Sequence, residues 1–375
     1  MKGIHTSDWH LGKVLHGVSL LPEQKEQIQQ ITALIRQEQV DFVAVSGDLY
    51  DRAIPPTEAI DLWETTLEEW VETLGIQVFV IAGNHDSAKR LSFGHRFLEK
   101  QRVSILGDFS RLFEPLTVES DGVRMQVHFL PYLDTAYLRD ILDLPEIRSR
   151  EFLLDEAMKR VRQGWDEQAF HLLLAHEFLL GGTTSDSERP LSVGGNQAVP
   201  YTLFDQFDYV ALGHLHRAQK IGNEKIRYAG GLYPYSFSEA GRVPSVELLE
   251  VDKNHHLSRS RLPIAPKRTL RVVEGSLEEV LDMPETDDYL SVLIQNSEVI
   301  LDLMGKLRER FPNTLRVERS LSGQGAKDQM EAEIGEREST ETLFERFFTA
   351  MTDQDLSIGQ KEYLGKVLSE IEGGE

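Results

Sequence analysis

The sequence predicts an α/β protein, and three observations carry that reading. Short β-rich apolar runs alternate with helical patterns over roughly the first 260 residues. Each of those runs ends abruptly in polar residues. The composition, 40% hydrophobic and 27% charged, is that of a globular chain.

Taken in order, Ile4 closes a short first strand. Ile28, Ile31, Leu34 and Ile35 recur at helical spacing. Phe42-Val43-Ala44-Val45 reads as a buried strand. Pro55-Pro56-Thr57 opens a helix that carries Ile60, Leu62, Trp63, Leu67, Trp70 and Val71. Val78-Phe79-Val80-Ile81 is the next strand, and Leu172-Leu173-Leu174 and Tyr209-Val210-Ala211-Leu212 are later ones. The polar residues that follow are Thr6-Ser7-Asp8, Ser46-Gly47-Asp48, Gly83-Asn84-His85, His176-Glu177 and Gly213-His214. In α/β sheets ligands bind outside the carboxyl ends of strands. Five such ends point to one shared site.

The run Leu262-Pro263-Ile264-Ala265-Pro266-Lys267-Arg268 reads as a linker. Beyond it, strands at 270–273, 289–294 and 315–317 and helices near 277–281 and 299–310 make a small α+β unit. Residues 320–339 are polar. Leu343, Phe344, Phe347, Phe348 and Met351 share one helical face, and Leu356, Tyr363, Leu364, Val367, Leu368 and Ile371 share a second. The expected division is therefore 1–262, 268–319, a linker 320–339, and a helical partner-binding segment 340–372. That last segment is read as a helix pair receiving a partner helix in a groove, against the blander reading of docking on its own chain.

A chain of 375 residues exceeds one ordinary core. Forty Lys and Arg against 62 Asp and Glu give a formal charge of −22. That argues against nonspecific binding of DNA or anionic membrane by the bulk surface, and leaves room for a local cationic site such as bound metal. Cysteine is absent, which excludes disulfides, thiolate nucleophiles and Cys-based metal sites. No run approaches the ~18 apolar residues of a membrane span, and the N-terminus lacks a signal-peptide core, so a cytoplasmic location is expected. No G-x-x-x-x-G-K-[ST] phosphate loop is present, so any ATP chemistry belongs to another chain.

Asp8-Trp9-His10 puts a carboxylate and an imidazole two residues apart, where strand alternation sends both side chains to one side. Alone, such a triplet is an ordinary surface feature. Gly47-Asp48-Leu49-Tyr50-Asp51 supplies a carboxylate that on its own reads as a turn or cap. In Gly83-Asn84-His85-Asp86, Asn84 offers a neutral oxygen ligand. A hairpin turn is the competing reading, but a helix-like pattern and not a strand follows. His176 ends an apolar run, where structural histidines are common. His214 and His216 repeat the i, i+2 spacing.

The order D-x-H, G-D-x-x-D, G-N-H-D, H, G-H-x-H over about 210 residues resembles the calcineurin-like metallophosphoesterase superfamily. That resemblance implies a two-sheet sandwich flanked by helices. It implies one divalent ion held by Asp8, His10, Asp48 and His216, and a second held by Asp48, Asn84, His176 and His214. Asp48 bridges the two. His85 is implied to be a catalytic non-ligand that stabilises the transition state or protonates the leaving group, with Asp86 either orienting it or capping a helix. Mixed nitrogen and oxygen donors suit Mn²⁺, Fe²⁺, Zn²⁺ or Co²⁺.

The segments 2–12, 187–195, 207–216 and 235–240 narrow the likeness to the bacterial SbcD family. In outline it continues through the α+β unit, as a capping domain. The family implies a Mn²⁺-dependent 3′–5′ exonuclease on double-stranded ends with endonuclease action at hairpins and single strands. It also implies a homodimer bound to two copies of the ATPase SbcC, acting in DNA repair, recombination and replication-associated processing. Archaeal and eukaryotic counterparts carry a second catalytic histidine where this chain has Asp51. Its role is not transferred; Asp51 orients a ligand or caps the Pro55 turn. Lys89, Arg90, His95 and Arg96 either contact phosphates or form a solvated helix face. The competing functions are a small-ester phosphatase and a non-catalytic scaffold.

Overall fold

The computed structural model describes residues 1–107, 111–132, 134–188, 198–295 and 301–319, with 349, 355–357, 359–361 and 364 besides. Two six-stranded sheets organise the chain. The strands are β1 (Lys2–Thr6), β2 (Val14–Leu15), β3 (Val18–Ser19), β4 (Phe42–Ser46), β5 (Gln77–Ile81), β6 (Val103–Leu106), β7 (Leu116–Ser120), β8 (Val123–Leu130), β9 (Phe170–His176), β10 (Tyr209–Gly213), β11 (Gln219–Lys220), β12 (Ile226–Tyr228), β13 (Ser245–Val251) and β14 (Leu257–Pro263). One sheet has the order β14-β13-β1-β4-β5-β6, the other β11-β12-β10-β9-β8-β7, and β2-β3 form a small hairpin. Within each sheet the middle strands are parallel: β1, β4, β5 and β6 in the first, β8, β9, β10 and β12 in the second.

Period-2 alternation explains why these strands read as continuous apolar runs. On β4, Phe42 and Ala44 face a core shared with Leu172, Leu174, Tyr209 and Ala211 of the second sheet. Val43 and Val45 face the opposite way, into a core with Ile28, Ile31 and Ile35. On β9, Leu173 and Ala175 enter a third core with Leu153, Leu154 and Val161. Each sheet is thus buried on both faces.

The helices are α1 (Leu21–Glu38), α2 (Thr57–Glu68), α3 (Ala88–Leu91), α4 (His95–Leu98), α5 (Thr135–Leu142) and α6 (Arg150–Arg162). The helix expected to run from Thr57 through Val71 instead changes at Glu69 into a π-helical turn, Glu69–Thr73. That turn carries Trp70, fully buried, whose Nε1 donates to Thr32 Oγ1 at 2.8 Å. The first strand runs past Ile4 to Thr6, and β9 includes His176 as its last residue. The expected linker begins inside β14, whose edge position tolerates Pro263.

After it, β15 (Leu270–Gly275), α7 (Leu277–Leu281), β16 (Tyr289–Ile294), α8 (Leu303–Arg310) and β17 (Thr314–Arg319) follow the expected order, with the sheet order β15-β16-β17. Arg268 Nη1 and Tyr289 Oη donate to Glu23 Oε1 of α1, each at 2.8 Å. By contact density the chain divides into two units. One comprises Met1–Glu274, Glu278–Leu293 and Asp302–Glu318. The other comprises Gly275–Leu277, Ile294–Leu301 and Arg319–Glu375. The linker 320–339 and nearly all of the segment 340–372, including Leu343, Phe344, Phe347, Phe348, Met351, Tyr363, Val367, Leu368 and Ile371, lie outside the described residues. Among the described residues no helix is long and apolar enough to cross a membrane.

Candidate metal centre

The loops leaving β1 and β4 run side by side through backbone bonds. Asp8 N–H donates to Gly47 O at 3.0 Å, His10 N–H to Asp48 O at 2.9 Å and Leu11 N–H to Leu49 O at 2.9 Å. The side chains do not converge by strand alternation, as the sequence suggested. Asp8 (φ 53°), His10 (φ 45°), Asp48 (φ 51°) and His214 (φ 108°) all have positive φ. The chain has left the extended conformation, and left-handed residues aim these groups inward. Non-glycine residues adopt such φ at a cost of order 1–3 kcal/mol, and sites that store such strain are commonly functional. Gly83 is required by close approach: a Cβ there would lie 2.1 Å from Asp48 Oδ1.

Trp9 is the anchor between the two ends of the D-x-H triplet. It is fully buried, donates from Nε1 to Thr6 Oγ1 at 2.9 Å, and meets Trp63 and Trp70 edge-on at 5.7 and 5.9 Å. Gln24 Nε2 donates to the carbonyls of Trp9 and His10 at 2.9 and 2.8 Å, and Tyr235 Oη donates to the Trp9 carbonyl as well. The supports from Gln24 and Tyr235 were not legible in the sequence, because they come from 14 or more residues away.

The seven expected ligands come together. His10 Nε2 lies 3.0 Å from His216 Nε2 and 3.7 Å from Asp48 Oδ2. On the other side of Asp48, Oδ2 lies 3.5 Å from His176 Nε2. That nitrogen is 3.0 Å from Asn84 Oδ1, which is 3.3 Å from His214 Nδ1. Asp8 accepts the backbone N–H of His214 at 2.9 Å. Among the described residues, ligand atoms of Asp8–His10–His216, Asp8–Asp48–His176 and His10–Asp51–His85 each fall within 4.8 Å of one another.

The donor chemistry fits cations. Asp8 and Asp48 are 0% and 2% exposed, and among the described residues neither pairs with Lys or Arg. Buried carboxylates need a compensating charge. His176 Nδ1 donates to Ser46 O at 2.9 Å, so in the neutral ring Nε2 is a lone pair facing two oxygens. That arrangement requires a proton or a metal ion. In the metal-free protein it takes the proton: burial opposes the charge, but Asp48 outweighs it and pushes His176 up to about 9. Asp48 is held well below the usual carboxylate range, because His176, then His10 and His85, overcome its burial. Burial raises Asp8 to about 6, and burial lowers His214 to about 3, with His176 adding to it.

His85 N–H donates to Asp48 Oδ1 at 2.8 Å, and His85 Nδ1 donates to Asp51 O at 2.8 Å. The Asp51 side chain pairs with Lys13 at 2.9 Å and lies 3.8 Å from His10 Nδ1. Its backbone carbonyl accepts from the histidine that the sequence singled out. Asp86 is not the helix cap that was one expectation for it. Its carboxylate accepts N–H groups of Gly83 at 2.9 Å, Leu49 at 3.1 Å and Tyr50 at 2.9 Å, and the N-cap of α3 is Ser87. It clamps the β4 and β5 loops together. Burial, with the charge of Asp48, pushes it up to about 7. Lys89 and Arg90 sit on α3, and His95 and Arg96 on α4. Arg90 Nη1 donates to Ala53 O at 2.8 Å, and His95 Nδ1 to Ser92 O at 2.8 Å.

Comparison with known proteins accords with this geometry. Calcineurin-like phosphoesterase matches residues 1–218, and the type 5 capsule protein repressor C-terminal domain matches residues 266–352. The chain is 34% identical over 375 residues to the SbcD subunit of the nuclease SbcCD from Staphylococcus epidermidis, covering 99% of both chains. Among solved structures, a dimetal phosphatase from Danio rerio aligns at TM-score 0.40 with 10% identity, covering 71% of this chain and 96% of that one. The phosphoesterase Yfce from E. coli aligns at TM-score 0.29 with 14% identity, covering 70% and 100%. The chain belongs to the calcineurin-like phosphoesterases and, within them, to the SbcD family of nuclease subunits.

Proposed function

We propose that this protein is the DNA-cleaving subunit that works with the ATPase SbcC, as a two-metal phosphodiesterase in DNA repair, recombination and replication-associated processing. The observation that carries the proposal is the convergence of two buried carboxylates, four imidazoles and one amide oxygen. Asp8, His10, Asp48 and His216 would hold one divalent ion, and Asp48, Asn84, His176 and His214 the other. Mn²⁺ suits these donors. When bound, two such ions supply Lewis-acid chemistry to both oxygens of an in-line displacement at phosphorus. His85 gives its Nδ1 proton to the Asp51 carbonyl as a fixed hydrogen bond, so Nε2 is the nitrogen that exchanges a proton with the leaving oxygen.

Sequence kinship with the SbcD nuclease subunit supports nucleic acid over small phosphate esters as the substrate class, and duplex ends, hairpins and single strands of DNA are the proposed substrates. The proposed division is a nuclease domain at 1–262, a capping domain at 268–319, a linker at 320–339 and an SbcC-binding segment at 340–372. A cytoplasmic location and a homodimer within a heterotetramer complete the proposal. Phe93 and Phe97 are 86% and 77% exposed. Phe93 lines a groove of about 620 Å³ with Ile60, Trp63, Leu67 and Val71, and this exposed apolar surface supports a contact between two copies.

The test is digestion of end-labelled duplex and hairpin DNA with Mn²⁺, with and without chelator, beside a small chromogenic phosphodiester. Chelator-sensitive cleavage of DNA is expected. Turnover of the small ester alone would establish the phosphatase reading instead.

A further inference from the structure

Apart from Tyr235, the two segments 187–195 and 235–240 that carry the family likeness have no part in the site described so far. Their described residues meet behind His216. Ser187 Oγ lies 2.6 Å from His216 Nδ1 and also hydrogen-bonds Glu239 Oε1. The direct separation of Glu239 Oε1 from His216 Nδ1 is 3.5 Å, so the hydroxyl is the link between them. Glu239 is 4% exposed, and its other oxygen, Oε2, is 3.1 Å from Arg242 Nη1. From the other side, Glu188 Oε1 accepts the backbone N–H of His216 at 2.8 Å.

A serine has one hydroxyl proton. The carboxylate is acceptor-only, so the proton goes to Glu239 and the hydroxyl oxygen accepts from His216 Nδ1–H. The imidazole proton is then fixed on Nδ1. The lone pair is fixed on Nε2, which faces His10 Nε2 at 3.0 Å. Carboxylates placed behind a metal-binding histidine fix its tautomer and orientation, and their loss typically costs about 10–100-fold in metal affinity.

We propose that Glu239, acting through Ser187, is a positioning residue that fixes the tautomer and aim of His216. It thereby sets the affinity of the ion shared by Asp8, His10, Asp48 and His216 and leaves the other ion unaffected. The inference rests on the reading of His216 as a ligand. The neighbourhood of His176 is independent of it, since that ring is oriented by the Ser46 carbonyl.

The experiment is Mn²⁺ titration of the full-length protein, followed by calorimetry and by the spin-resonance signal of free Mn²⁺. The variants are His216→Asn, Glu239→Ala, Glu239→Gln and Ser187→Ala. His216→Asn should lose one of the two ions. Glu239→Ala should weaken that same ion about 10–100-fold and the other by less than about twofold. Turnover should return towards wild type at saturating Mn²⁺. Glu239→Gln retains an oxygen that accepts the Ser187 proton and should recover most of the affinity. Ser187→Ala should show the same selective loss, more weakly, and decides the matter if Glu239→Ala does not fold. If His216→Asn loses one ion while Glu239→Ala and Ser187→Ala bind both normally, the inference is overturned. It is overturned too if both ions weaken in parallel with a fall in Tm. If His216→Asn keeps both ions, the ligand reading itself fails and this inference falls with it.

Discussion

Asp48 Oδ1 accepts the backbone N–H of His85 at 2.8 Å, while Asp48 Oδ2 faces His10 and His176 at 3.7 and 3.5 Å. The two oxygens of one carboxylate have different duties, one to the β5 loop and one to the cluster. Asp48→Asn can keep the first and must lose the second, because its amide nitrogen has no lone pair for a cation. We expect a folded protein with weak occupancy of both ions and activity down by orders of magnitude at limiting Mn²⁺. Metal analysis alongside the nuclease assay checks this, and near-normal activity would sink the shared-ligand assignment. Chelation of the wild type should abolish cleavage in the same assay.

His85→Gln should separate binding from chemistry. The side chain lies beside His10, ring centroids 4.6 Å apart, and its Nδ1 is committed to the Asp51 carbonyl. Two ions should still bind, and turnover should fall about 10²–10⁴-fold. A loss of metal stoichiometry in proportion to activity would make His85 a ligand, consistent with its place in the His10–Asp51–His85 group.

Asp86→Ala would leave the N–H groups of Gly83, Leu49 and Tyr50 without their carboxylate. Leaving a buried N–H without its acceptor costs about 1–3 kcal/mol, and water recovers part of that at a loop. A destabilisation of about 2–4 kcal/mol in urea unfolding is expected, together with reduced turnover as the Asp48 and His85 loops separate. An unchanged unfolding midpoint would show that the clamp contributes nothing.

Stability should fall on acidification through a buried histidine outside the proposed ligand set. His5 is fully buried; its Nε2 donates to Leu212 O at 3.1 Å and its Nδ1 accepts from Tyr209 Oη at 3.1 Å. Burial lowers its pKa to about 4, against the partial opposition of Glu247. The unfolded chain takes up the proton near pH 6.5 and the native protein only near pH 4. His5 therefore costs nothing above pH 6.5. Between pH 6.5 and 4 it removes about 1.4 kcal/mol per unit, about 3 kcal/mol in all. In His5→Gln the slope of unfolding free energy between pH 7.5 and 5, measured in chelator, should be shallower than in wild type. Equal slopes would refute the assignment.

Truncation after Gly325 removes the apolar stripes at 343–351 and 356–371, which lie almost wholly outside the described residues. The acidic residues Glu341, Glu345 and Glu362 rim those stripes in sequence and favour a basic partner surface. The truncated protein should keep its Tm and Mn²⁺-dependent cleavage but fail to co-purify with SbcC. Retained SbcC binding, or an unfolded nuclease domain, would place the contact elsewhere.

The sequence by itself determined that β1, β4, β5, β9 and β10 are strands with polar residues at their ends, while β6–β8 and β11–β14 were not read from it. Runs such as Phe42–Ser46 and Phe170–His176 are apolar at nearly every interior position because both faces are covered, and that requirement is local enough to read. The absence of cysteine and the spacing of Asp8, His10, Asp48, Asn84, His176, His214 and His216 already restricted the donors to nitrogen and oxygen. Only the tertiary structure decided how those groups are aimed. Left-handed turns at Asp8, His10, Asp48 and His214 replace the extended chain that i, i+2 spacing suggested. The role of Asp86 depends on amides 36 and 37 residues earlier, and the Glu239–Ser187 support of His216 joins residues 52 apart. Neither has a local signal. A carboxylate that caps a helix and one that clamps two loops look alike in sequence, and they differ only in which N–H groups the fold brings within about 3 Å.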